Sequence, residues 1–251
     1  MSDRSDPVLW QYSFSNFNEK ARWALDFKGI AHRRRSLMPG GPRAMMFSRK
    51  GGTLPVLDLD GERIVDSSRI IAALEERQPT PALYPSDPEE RGMALELEDF
   101  FDEHAGHDMR RVGFWEERDN TEFGLDFMTV DQRPVARHVL RVTLPIGWRY
   151  VSRRYGFDEE SFQRSKRVLV AALDRIESER DGRPHLVGDS FTVADLTAAA
   201  LLWPMVWPPE YQYELPEPPP SDFRTSVAGH PAIDWIAEIW RGHRGTSAAL
   251  G

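Results

Sequence analysis

Hydrophobic and polar positions along this chain change their period once, and the change splits it in two. Val8-Leu9-Trp10-Gln11-Tyr12 is short, apolar and aromatic, as a strand is. Over residues 18–28 the spacing turns helical, with Ala21, Ala24, Leu25 and Lys28 at i, i+3, i+4 and i+7 ahead of Gly29. Residues 30–37 read as a second strand and include Arg33-Arg34-Arg35. Met38-Pro39-Gly40-Gly41-Pro42 then breaks the chain before a short helical piece. Two strands follow at 56–59 and 63–65, joined by Asp60-Gly61, a dipeptide favoured in tight hairpins. Pro55 cannot donate a ladder hydrogen bond, so it is expected at the start of an edge strand or in a special turn. X-Pro is also the one bond where a cis peptide is cheap. A helix from Ser67 to about Arg77 would bury Ile70, Ala73 and Leu74.

The order βαβ, break, ββα describes a small α/β unit over residues 1–78, and the proline-rich stretch 79–88 reads as a linker. Residues 89–251 read as all-helical. Asp87-Pro88-Glu89-Glu90 supplies an N-cap, a proline at N1 and an acid at N3, and opens a long helix toward Arg118. A second helix is expected over roughly 130–155, and a third carries Phe162, Leu169, Leu173 and Ile176 on one face. Thr192 and Asp195 are spaced to cap reciprocally, with Phe191 and Leu196 at the two staple positions, before an apolar run through 198–202. A proline-rich stretch over 204–220 is expected to be irregular, and a last helix carries Ile233, Ile236, Ala237 and Trp240.

Composition narrows the function classes. The 251 residues are 40% hydrophobic and 29% charged, as in a soluble globular protein. There is no cysteine, which removes a disulfide framework, a thiolate metal site, a Cys nucleophile and a CxxC redox motif. A formal charge of −8 argues against a general nucleic-acid binder. Residues 1–10 lack the apolar core of a signal peptide, and no run approaches the ~20 apolar residues of a membrane span. The expected location is the cytoplasm, with no membrane or nucleic-acid partner.

The segment Ser13-Phe14-Ser15-Asn16-Phe17-Asn18-Glu19-Lys20 joins the first strand to the first helix. A hydroxyl there either caps the helix or faces an anion pocket at its N-terminus, where a thiolate is favoured. Asp66 and Ser67 open another helix, whose free N–H groups make a local carboxylate site. His104, His107 and Asp108 share a helix face at i, i+3 and i+4, but two histidines without a third ligand are ordinarily surface residues, and no metal is expected. Arg111 and Trp115 follow on the same stretch as a candidate acceptor surface, or as a solvated face with one core Trp.

Four pieces in order across this chain resemble the soluble glutathione transferase superfamily: Ser15 to Leu25, Thr53-Leu54-Pro55-Val56-Leu57, Ile64-Val65-Asp66-Ser67, and Gly188 to Asp195. The resemblance implies a thioredoxin-like N-terminal domain that binds glutathione, an all-α C-terminal domain, an acceptor pocket between them, and a homodimer. It implies that Leu54, ahead of a cis Pro55, pairs by backbone with the tripeptide, as a strand edge pairs with an added peptide. Asp66 would hold the ammonium, Ser67 the α-carboxylate, and Arg49 or Lys50 the glycine carboxylate. Phe17 and Thr53 would adjoin the tripeptide, and Ser15 would polarise the thiol. His104, His107, Arg111 and Trp115 would face the acceptor. Related thiol-exchanging chains carry Cys at the positions of Ser15 or Asn18, so disulfide exchange on this protein is disfavoured. The expected activity is attack of glutathione on a small electrophile. A glutathione-dependent isomerase or dehalogenase and a non-catalytic scaffold are the alternatives.

Overall fold

The computed structural model describes residues 6–49 and 53–251. In the first part β1 (Val8–Gln11), α1 (Asn16–Phe27), β2 (His32–Ser36) and α2 (Pro42–Arg49) precede the hairpin of β3 (Val56–Leu59) and β4 (Glu62–Val65), and α3 (Ser67–Arg77) closes the unit. Asp60 and Gly61 turn the hairpin at φ 50° and 89°, the left-handed region that such turns require. The sheet runs β4-β3-β1-β2-β5, where β5 is Ala249–Leu250 at the far end of the chain. β1 pairs in parallel with β2, opposing Leu9 to Arg34, and antiparallel with β3, opposing Leu9 to Leu57. This is the mixed sheet of a thioredoxin-like domain.

The rest is helical: α4 (Pro88–Phe101), α5 (His107–Glu116), α6 (Thr121–Met128), α7 (Pro134–Tyr155), α8 (Glu159–Arg180), α9 (Val193–Val206), α10 (Asp222–Val227) and α11 (Pro231–His243). A π-helical turn, Asp102–Gly106, joins α4 to α5. The Asp87 carboxylate accepts from the Glu89 and Glu90 amides to cap α4, and Thr192 with Asp195 forms the reciprocal box that caps α9. α9 is apolar all round and packs against α1, α4 and α11, so it is the axis on which both domains are built.

Several expectations are corrected. β3 lies inside the sheet, between β4 and β1, so Pro55 precedes an interior strand and occupies the special turn instead of an edge. The helix expected over roughly 130–155 is α7, and a separate short helix not expected from the spacing, α6, precedes it, capped by Asn120 through the Phe123 amide. α9 continues through Pro204 to Val206, three residues into the stretch expected to be irregular. Arg34, within the arginine run of β2, makes a two-oxygen contact with Asp26 and a bond to Gln212.

Candidate functional site

The loop between β1 and α1 is built from opposite kinds of bonding. Ser15 occupies the N-cap of α1 with φ −82° and ψ 132°, yet its side chain makes no capping hydrogen bond. Its amide donates to Tyr12 O at 3.2 Å and its carbonyl accepts from the Glu19 amide at 2.9 Å, so the backbone is fixed and the hydroxyl is not engaged as a cap. Asn16, the next residue, is buried and clamped. Its Nδ2 donates to Gly106 O at 3.0 Å and Leu201 O at 3.1 Å, tying the loop to the π-turn and to α9. A π-turn breaks the regular helical hydrogen-bond ladder, and such turns recur at functional sites. A Cβ added at Gly106 would press on the tip of the Phe17 ring, so the ring would have to shift. Asn18 is fully buried; its Oδ1 accepts from the Tyr12 amide while its Nδ2 finds no acceptor among the described residues.

The Leu54–Pro55 peptide is cis, as the resemblance implies. Leu54 stands two residues before β3, packed against the cluster of Leu37, Ala44, Phe47 and Val56. Among the described residues its backbone makes no hydrogen bond. Thr53 beside it is exposed. Lys50 lies outside the described residues.

Asp66 caps α3 from a backbone at φ 89°, accepting from the Ser68 amide at 3.0 Å and the Arg69 amide at 3.2 Å through Oδ1. A non-glycine residue there costs about 1–3 kcal/mol, and such positions cluster at ligand clamps. Its carboxylate is exposed, and among the described residues only Oδ1 is seen bonded, while Ser67 is buried in the first turn. Beneath it sits a charge cluster missed in the sequence. Lys20 Nζ, fully buried, contacts Glu98 at 2.8 Å, Asp102 at 2.7 Å and Ser68 Oγ at 2.7 Å; Ser68 Oγ in turn donates to Asp102 at 2.6 Å. Burial opposes the ammonium charge, but Glu98 and Asp102 outweigh it and hold the Lys20 pKa above its ordinary value. The cluster ties α1, α3 and α4 together under the Asp66 turn. Its signal in the sequence was Glu98 and Asp102 at i, i+4 beside apolar Leu97 and Phe101.

The acceptor residues separate. The Phe17 ring leans on His107 with centroids 5.0 Å apart, which brings His107 to the Ser15 loop, while His104 packs on Phe100. Arg111 is committed to Asp108 at 2.7 Å and Ser165 at 2.9 Å, and Trp115 stacks on Phe162. Both contacts hold helices together, and both residues are half-buried. Against the loop instead lie aromatic rings that the sequence did not single out: Phe14 is 5.4 Å from Phe127, which lies 5.5 Å from Phe123 and 5.9 Å from Trp207. No group of three or more side chains suited to a metal occurs among the described residues. No helix among them is long and apolar enough to cross a membrane.

A thioredoxin-like sheet unit, a cis-proline turn and a helical domain seated on α1 define the two-domain glutathione transferase architecture. Residues 9–82 match the family model for the glutathione S-transferase N-terminal domain and residues 159–234 the model for its C-terminal domain, together more than half of the chain. This chain belongs to the soluble glutathione transferase superfamily. It is 32% identical over 99 residues to maleylacetoacetate isomerase of Mus musculus, covering 37% of this chain and 46% of that one. A glutathione S-transferase-like protein, LUC7, from Fusarium sp. is 48% identical over 48 residues, 19% of this chain and 22% of its own. The chain thus spans under half the length of these curated relatives. Among solved structures, beta-etherase LigF from Sphingobium sp. strain SYK-6 superposes with a TM-score of 0.68 at 17% identity, covering 95% and 96% of the two chains. A Methylobacterium radiotolerans glutathione S-transferase in complex with glutathione sulfonate gives 0.64 at 21%, covering 98% and 96%. At such identities these two show the fold.

Proposed function

We propose that this protein binds glutathione along Leu54 and the N-terminus of α3 and directs its sulfur, at Ser15, onto a small electrophile. The observation that carries the reading is a hydroxyl at the N-cap of α1 that makes no capping bond. There it is free to donate to a sulfur, with the positive end of α1 favouring the thiolate. The cysteinyl backbone would pair with the N–H and C=O of Leu54. The amide groups at the start of α3 and Ser67 would take the α-carboxylate, and Asp66 Oδ2 the ammonium. The thiol proton leaves to solvent. The thiolate pair then forms the S–C bond, and the electrophile expels its leaving group or, after addition, takes up a proton.

A second reading shares the same thiolate: attack on a conjugated double bond, bond rotation, and expulsion of the sulfur, which is a glutathione-dependent isomerisation. The relative named maleylacetoacetate isomerase favours it. Titration calorimetry with glutathione, followed by turnover of an aryl halide and of a cis-configured unsaturated diacid, separates the readings. Ser15→Ala should lower turnover about 100-fold, the range for removing one donor to a developing anion, while glutathione still binds. Undiminished turnover in Ser15→Ala would remove the assignment.

A further inference from the structure

The proline-rich stretch after α9 is tied to the N-terminal domain by three consecutive side chains. α9 ends on Trp207 at a left-handed φ of 47°, which non-glycine residues rarely adopt, and two prolines follow. The Tyr211 amide donates to Pro208 O at 3.1 Å, and this turn lays the Tyr211 ring against Trp203, with centroids 4.5 Å apart. From there Tyr211 Oη donates to Ser13 O at 2.6 Å. Gln212 Oε1 accepts from Arg34 Nη1 at 2.6 Å, and Tyr213 Oη accepts from Gln11 Nε2 at 2.5 Å. Of the three, Tyr211 is the one that grips the loop carrying Ser15. It is buried, and burial, outweighing Arg22, raises its pKa, so the phenol keeps the proton it donates.

The Ser15 amide on Tyr12 O closes a four-residue turn, with Ser13 and Phe14 at its centre. Ser13 is buried and held from two sides: its carbonyl by Tyr211 and Arg22, its hydroxyl by Asp131 at 2.7 Å. We propose that Tyr211 is a positioning residue for Ser15, fixing the turn through the Ser13 carbonyl so that the Ser15 hydroxyl stays aimed at the bound sulfur. No cap bond holds the Ser15 side chain, so its aim depends on where the turn holds its backbone. A donor about 1 Å out of place can cost a reaction ~100-fold. The other two holds are weaker. Asp131 is exposed, where water competes for it. Arg22 Nη2 divides itself among Ser13 O, Tyr211 Oη and Glu19, whereas the single phenolic proton goes to Ser13. The helical domain thereby sets the aim of a residue in the other domain. The inference rests on the role proposed above for Ser15.

Steady-state kinetics on the whole chain, with a pH titration of bound glutathione by its ultraviolet thiolate absorbance, tests this. Tyr211→Phe keeps the ring against Trp203 and removes the hydroxyl. It should lower kcat about tenfold, one hydrogen bond expressed in the barrier, with KM for glutathione unchanged. It should also raise the pKa of the bound thiol, as Ser15→Ala does. In the double variant Ser15→Ala, Tyr211→Phe, kcat should match that of Ser15→Ala alone, because a residue acting through Ser15 adds nothing once Ser15 is gone. Tyr213→Phe removes a neighbouring hydroxyl that bonds β1 rather than the loop, and should leave kcat and the thiol pKa unchanged. Additive losses in the double variant, a loss in KM alone, or an equal loss in Tyr213→Phe would assign Tyr211 to packing and overturn the proposal. If Ser15→Ala leaves the thiol and turnover unaltered, the role of Ser15 falls and this one with it. If Ser15→Ala lowers both and Tyr211→Phe neither, this proposal alone falls.

Discussion

The two ends of α1 hold polar groups under opposite rules. Along its inner face Arg22 bonds Glu19, Gln11, the Ser13 carbonyl and Tyr211; Arg244, from beyond α11, bonds Glu19 at 2.5 Å and Asp26 at 3.0 Å. Asp26 takes Arg34 as well. Burial works against the Asp26 charge, but Arg34 and Arg244 prevail and hold its carboxyl below the usual range. At the other end the Ser15 hydroxyl caps nothing and the Asn18 amide nitrogen has no acceptor. Buried charge survives only when it is paired. Unpartnered buried polar atoms occur elsewhere among the described residues too, Arg244 Nη2 included, so the contrast rests on the Ser15 hydroxyl, which is at a helix N-cap and makes no cap bond.

Breaking the paired end should produce the largest effect. Arg244→Ala leaves Glu19 and Asp26 each short of a buried partner, and removing one member of such a set costs about 3–5 kcal/mol. Urea denaturation should show the midpoint falling steeply at unchanged slope. A loss under 1 kcal/mol would mean that water replaces the guanidinium and that the network is not the anchor between the domains.

Asn16→Leu tests the border between the two ends. It leaves the Gly106 and Leu201 carbonyls buried without their donor, for about 2–3 kcal/mol. Because the same amide pins the residue after Ser15, glutathione turnover should fall further than the stability change explains. Equal losses in both would make Asn16 purely structural.

The sequence disclosed these regions unequally, for physical reasons. Local rules stay legible in isolation, so the Asp60-Gly61 hairpin, the Asp87 and Thr192 caps and the 3.6 period of α8 stand where the spacing put them. β5 is two residues long and exists only because β2 offers an edge 217 positions upstream in the register His32 to Ala249, which no periodicity records. The Arg22–Glu19–Arg244 network joins residues 225 positions apart, so only the i, i+3 pair Glu19–Arg22 was visible beforehand. At the site, Ser15, Leu54 and Asp66 are marked by chain-local signals: a strand-to-helix turn, a proline and a cap. The Lys20 cluster and the Phe127 contact depend on how the helical domain sits on α1, and a sequence of residues does not carry that.

Acid sharpens the comparison by a smaller amount. Burial holds His32 below its ordinary pKa; Nδ1 donates to Ile30 O at 2.8 Å and Nε2 accepts from Arg34 Nε at 3.1 Å, so the native ring is neutral. Unfolded, it titrates near ~6.5. Below that value and above the lower native one, the unfolded chain takes up a proton that the native chain refuses. Stability therefore falls as pH falls through this window, by up to ~1.4 kcal/mol per unit, and is flat above it. His243, also lowered by burial, acts in the same direction, as does Asp26 at lower pH. His32→Asn should reduce the slope of stability below pH ~6.5, by no more than one proton's worth. An unaltered slope would place the titration elsewhere.

The smallest stability effect should come from Ser15, the residue proposed to serve the thiol. Replacing an N-cap serine ordinarily costs about 1 kcal/mol, because its oxygen serves the first helical amides. In α1 that service is absent: the Phe17 amide is taken by Asn16 Oδ1 and the Ser15 hydroxyl by no cap bond. Ser15→Ala should therefore shift stability by less than about 0.5 kcal/mol, the range of a substitution that removes no interaction. A drop of a full kilocalorie in urea denaturation would show the hydroxyl to be a cap, and Ser15 would move to the paired side of the comparison. A neutral result, alongside a glutathione turnover that loses two orders of magnitude, would mean that α1 spends its bonding on one end and keeps the other for a sulfur.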